Sequence, residues 1–115
     1  MAFNDLDNLR IEKAMAGLLA RRRPPPHIRP ELDIGYRVTG QSVEILEIRP
    51  QWNDRSIVHQ YPIAKATYVR TQNQWKIFWR RATLQWQGYE PVPMVASIDE
   101  FLRVVDADQY GFFFG

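Results

Sequence analysis

Between Asn4 and Arg23 the apolar residues recur at helical spacing. At 100° per residue Ile11, Ala14, Met15 and Leu18 share one stripe with Leu19 beside it, while Leu6, Leu9 and Ala16 fall on a second. The pattern predicts a helix over residues 4–23, capped by Asn4 or Asp5 and touching neighbours on two sides. Pro24, Pro25 and Pro26 cannot continue that helix, so residues 24–31 are expected to form an extended, polyproline-like spacer.

Past Pro30 the period changes to two. Ile34, Tyr36 and Val38 alternate with Gly35, Arg37 and Thr39; Gly40-Gln41 offers a tight turn; Val43 to Ile48 returns. The same pattern places strands at 33–39, 43–49, 63–70, 75–80 and 84–90, all within a sheet region of 32–90. Pro50 to Pro62 is predicted as a loop of a dozen residues, a functional candidate on length alone. In the fourth strand Trp75, Ile77 and Trp79 face one way and Lys76, Phe78 and Arg80 the other, and Leu84 with Trp86 is expected to continue the first set.

Pro91-Val92-Pro93 is expected to end the sheet. Ser97 and Glu100 then form a capping box before Phe101, Leu102, Val104 and Val105, which predicts a second helix over 97–106. Residues 107–115 form an aromatic tail, and Phe112, Phe113 and Phe114 are expected to pack on the sheet or on a second copy of the chain. The fold class that follows is α+β: one domain over 1–115, a five-stranded, mostly antiparallel meander with a helix at each end, both helices covering one face.

Composition narrows the functions. The 115 residues are 45% hydrophobic and contain four Trp, five Tyr and six Phe, so an aromatic-rich core is expected. The absence of Cys removes disulfides, thiolate catalysis and Cys-ligated metal sites. Neither a secretory leader nor a long apolar run is visible, which sets the expectation of a cytoplasmic protein with no membrane partner. Net charge is only +2, but it is blocked: +3 over residues 1–30, −2 over 31–62, +4 over 63–96 and −3 over 97–115. A basic surface is therefore expected locally, chiefly from Arg21-Arg22-Arg23 and from the central strands.

Several segments of the sequence resemble one family. Leu32 to Glu44, Arg49-Pro50, Pro62 to Lys65, Trp75, Trp86 to Tyr89, and Asp106-Ala107-Asp108 with Tyr110-Gly111 are similar to a small bacterial family known as domain of unknown function 3024. Arg10-Ile11-Glu12 and Pro26 to Arg29 fit its opening. The closing pair, commonly Trp-Gly there, is Phe114-Gly115 here. The resemblance implies no activity, ligand or catalytic residue.

Chemistry-bearing constellations are sparse. His27 and His59 would need a carboxylate such as Asp54 to bind a metal, and they lack a helical ligand spacing. Asp106 to Gly111 begins like a calcium loop, but Tyr110 holds the third acidic position and no twelfth-position Glu follows. Ser42, Ser56 and Ser97 have no triad, Ser56 having only His59 three residues on, and Glu44 and Glu47 point to opposite faces of one strand. No catalytic residue, metal or cofactor is expected, and an enzyme is the least favoured reading.

Lys65, Arg70, Lys76, Arg80 and Arg81 interleave with Tyr68, Trp75, Phe78, Trp79, Trp86 and Tyr89. Single-strand binders use that combination, bases stacking on aromatics while cations track phosphates. The candidate nucleic-acid or ligand residues are Tyr68, Arg70, Lys76, Phe78, Arg80, Arg81 and Tyr89. Against this, alternation can place the aromatics in the core and the cations in water. The favoured function is a non-catalytic interaction or small-ligand domain that self-associates, with a homodimer or another protein as partner and single-stranded nucleic acid as the alternative.

Overall fold

A computed structural model describes residues 3–115. Helix α1 spans Asp5–Arg22. It is capped reciprocally, the Asp7 N–H donating to Asn4 Oδ1 at 2.8 Å while the Asn4 N–H donates to Asp7 Oδ2 at 3.4 Å. Ile11, Ala14, Met15 and Leu18 are buried as the first stripe requires. The second stripe makes no such contact: Leu6, Leu9 and Ala16 are exposed, so α1 packs on one side only. Residues 24–31 do not extend either. They coil in successive turns, with the Ile28 and Arg29 N–H groups donating to the Pro25 carbonyl and those of Glu31 and Leu32 to Ile28. Proline fixes φ at a value that turns share with polyproline, and the local carbonyls decide between them.

The sheet has strands β1 Asp33–Thr39, β2 Ser42–Gln51, β3 Asp54–Val69, β4 Gln74–Arg80, β5 Trp86–Gly88 and β6 Met94–Val95, followed by helix α2, Ile98–Ala107. All pairings are antiparallel in the order β1-β2-β3-β4-β5, with β6 pairing Trp75 and Lys76 of β4 on the same side as β5. Gly40, at φ +58°, occupies the left-handed position that the tight β1–β2 turn demands. The α+β meander is thus as expected, and beyond Pro91-Val92-Pro93, the expected end of the sheet, a sixth short strand follows.

The expected loop at 50–62 is instead a β-ribbon. β2 and β3 pair past the ends of their neighbours: β1 stops opposite Ile48 and β4 opposite Ala64. Pro50 and Pro62 are tolerated because a strand without a neighbour on one side does not need every N–H. Trp52 at the tip is 92% exposed.

The core lies between one sheet face and both helices. Val43, Ile45, Ala64, Ala66 and Ile77 are sealed from solvent beneath Met15, Leu18, Phe101 and Val105. Small Ala64 and Ala66 on the central strand leave room for the helices to approach. Ser97 caps α2 by accepting from the Glu100 N–H at 3.2 Å, while the Glu100 side chain accepts from Ala96 N–H, one residue before the expected box partner.

The arginine run expected to make a basic surface is tied up in ion pairs. Asp106 of α2 accepts from Arg21 Nη2 at 2.7 Å and from Arg22 Nε at 3.1 Å, which clamps the two helices together. Arg23 donates to both Asp33 carboxylate oxygens at 2.9 Å. Those hydrogen bonds hold the Asp33 carboxyl below its ordinary range. A depressed folded-state pKa contributes stability that is present above the unfolded value and is lost as pH falls through the folded one. Arg23→Gln should therefore lower the urea midpoint at neutral pH and flatten its decline between roughly pH 5 and 2. Parallel acid limbs for the two proteins would show the pair to be idle.

The tail folds back on its own chain. The Asp108 carboxylate accepts the backbone N–H groups of Phe113 at 3.0 Å and Phe114 at 2.9 Å. Phe113 is buried with its ring centroid 4.9 Å from that of Tyr89, Phe112 stacks on Trp79 at 4.5 Å, and the Arg22 guanidinium lies 4.2 Å over Phe114.

Candidate functional site

Register turns the opposite sheet face into a mixed surface of rings and cations. Along β4, alternation sends Lys76, Phe78 and Arg80 away from the helices. Lys65 of β3 pairs with Phe78, and Trp86 of β5 pairs with Arg80. The Lys65 ammonium lies 4.8 Å over the Phe78 ring and 4.6 Å over Trp86; Lys76 Nζ is 5.3 Å from Phe78, and the Arg80 guanidinium 5.9 Å from Trp86. Each ring thus carries a cation within cation–π range. Gly88 stands opposite Phe78, and a Cβ there would meet nothing within 4 Å, so one flank of that ring is open.

The electrostatics favour an anion. Glu44, the carboxylate at the level of Lys65, is held by Arg37 at 2.6 Å. Partial burial pushes the Lys65 ammonium below its ordinary pKa, and Glu44 offsets part of that. Arg80 Nε is buried without a hydrogen-bond partner among the described residues, leaving a donor in want of an acceptor.

Of the residues singled out in the sequence, Lys76, Phe78 and Arg80 are brought together on this face. Tyr68 lies on the helix side, its ring 5.2 Å from Trp75 and its hydroxyl donating to Asn73. Tyr89 is core, 2% exposed, and burial raises its phenol pKa. Arg70 sits in the 3₁₀ turn Arg70–Gln72, and Arg81 is exposed at the start of the turn into β5. Trp86 does not continue the Trp75 set as expected, because the Arg81–Gln85 turn brings it opposite Arg80, and Leu84 is an exposed turn residue at φ +68°. Lys65 and Trp86, named among the interleaved residues but not in the candidate set, join this face through the β3–β4 and β4–β5 registers.

The other constellations are held by structural contacts. Asp106 binds arginines, Asp108 binds the tail, Ser56 Oγ donates to Asp54 at 2.6 Å, and His59 Nε2 lies 3.0 Å from Gln51 Oε1. Among the described residues no group of three or more His, Asp and Glu is arranged to hold a metal ion, and no helix is long and apolar enough to cross a membrane. A cleft of ≈ 940 Å³ opens between α1 and α2 above Phe3 and Trp75, but Arg10, Lys13 and Arg103 on its walls are interspersed with Asp7 and Asp99, so it presents no single sign.

Comparison with known families bears on the same residues. A family model described as a domain of unknown function, DUF3024, matches residues 3–115. The chain belongs to that family. Neither the curated proteins nor the solved structures gave a match. The DUF3024 match spans both helices and all six strands, so the ring-and-cation face lies wholly within the family's own extent.

Proposed function

We propose that this DUF3024 chain is a non-catalytic binding module whose outer sheet face takes single-stranded nucleic acid. The observation that carries the reading is the seating of Lys65 over Phe78 and Trp86, flanked by Lys76 and Arg80. It places rings and cations on one face, where alternation alone allowed them to be segregated. An exposed cation–π contact contributes about 0.5–1 kcal/mol, less than the roughly 1–3 kcal/mol of a base stacked on an aromatic ring. A phosphate can therefore draw the lysine off and leave the ring face to a base. Within the tail Phe113 is buried in its own chain, so it is not available to a second copy, whereas Phe112 and Tyr110 remain exposed.

Anisotropy of a labelled oligothymidine should report binding whose log K falls with log salt by about 0.7 per phosphate contacted. Lys65→Ala with Lys76→Ala should flatten that slope by about 1.4, and Phe78→Ala should weaken binding about tenfold. Gly88→Val should block the open flank of Phe78 without strain, whereas Lys13→Ala on α1 should change nothing. Absence of binding at about 50 mM salt and micromolar protein, or a slope indifferent to the double substitution, overturns the reading.

A further inference from the structure

The helix side of the sheet carries a second feature, with the opposite charge preference. Where the tail crosses β4 and β5, an open recess of ≈ 490 Å³ is bounded by Trp79, Gln87, Gly88, Glu90, Tyr110 and Phe112, together with Pro91. Phe112 and Tyr110 are 40% and 56% exposed, although burying them is what the tail's fold would otherwise be expected to achieve. Their ring centroids are 6.3 Å apart at 46°, and Phe112 rests on Trp79 with the planes 28° apart, so the rings make an open corner. Glu90 is the charged group on the rim, and it has no hydrogen bond or ion pair among the described residues. Among the described residues no Lys or Arg lines the recess.

Aromatic faces present negative quadrupole charge, and an unpaired carboxylate adds a full one. Such surroundings attract a cation. A primary ammonium is compact and strongly hydrated and gives up its water reluctantly, whereas an N-methylated ammonium spreads its charge over methyl groups that also bury apolar surface against rings. We infer that this recess binds a methylated or quaternary ammonium head group. Tyr110 and Phe112 supply the ring contacts, Trp79 backs Phe112 by stacking on it, and Glu90 supplies the counter-charge. The site lies across the sheet from the outer face, with Gly88 of the edge strand β5 bordering both.

Choline titrated into the ¹⁵N-labelled chain tests this against 3,3-dimethylbutanol, its uncharged isostere. Choline should shift the Trp79 indole and the Gln87 and Gly88 amides with an affinity in the millimolar range, and the alcohol should leave them in place. Glu90→Gln and Tyr110→Ala, both at exposed positions, should each weaken choline about two- to fivefold while the rest of the spectrum stays superimposable. A trimethyllysine peptide forms the second arm. Binding tighter than choline assigns the head group to a protein side chain, and binding no tighter assigns it to a small molecule. Equal shifts from the neutral isostere, or no shift at these residues from either cation up to about 50 mM, would overturn the inference.

Discussion

Replacing Phe113 by alanine is expected to destabilise the chain by about 3 kcal/mol, at the lower end of the range for buried aromatic truncation. Its ring is 5% exposed and packs on Tyr89, itself sealed in the core, so the substitution opens space that the peptide backbone can only partly fill. For a chain of this size the loss corresponds to a fall in Tm of roughly 10–15 °C. Phe112→Ala, two-fifths exposed, should cost well under half as much. Thermal unfolding followed by circular dichroism checks both. If the two variants melt together near the parent, the tail is a surface appendage and its packing contributes little.

Asp108→Ala should cost about 2 kcal/mol without touching any apolar contact directly. Its carboxylate accepts two backbone N–H groups, and hydrogen bonds to a charged acceptor are stronger than neutral ones. Asp108 also adopts φ +39°, a left-handed conformation that Asp and Asn tolerate better than Ala. Asp108→Asn keeps that tolerance and one acceptor oxygen, so about half the loss should return. In a double-mutant cycle with Phe113→Ala the costs should fall short of additive, because the carboxylate acts through the seat it gives the ring. Full additivity would mean that Phe113 finds its place unaided.

Much of the fold was legible because periodicity reports burial directly. The stripe Ile11, Ala14, Met15, Leu18 and the alternation of Trp75, Ile77 and Trp79 each name a face, and the structure buries the stripe and turns the alternating set toward the helices. What escaped was set by long-range pairing. Leu6 and Leu9 carry helical periodicity without a neighbour, since a pattern cannot say what lies opposite. The prolines at 50 and 62 looked like loop boundaries, yet they mark the reach of β1 and β4. At the candidate face, Lys76, Phe78 and Arg80 follow from one strand alone, whereas Lys65 and Trp86 join them only through the β3–β4 and β4–β5 registers. Arg21, Arg22 and Arg23 misled for the same reason: their partners Asp106 and Asp33 are remote in sequence or across a turn.

The ribbon formed by the outer halves of β2 and β3 gives the molecule a splice point. Its tip, Trp52-Asn53, lies beyond the last pairings of β1 and β4, with Trp52 almost fully exposed. Lengthening a loop there costs only the slowly growing entropy of closure, and the strands beneath it are already held by their own pairing. A reporter peptide or fluorophore-binding tag grafted between Trp52 and Asn53 would ride on a two-stranded stalk that bulges at residues 55–57 and is braced to the body by the Arg55–Glu31 ion pair. It would leave the sheet's two faces as accessible as before.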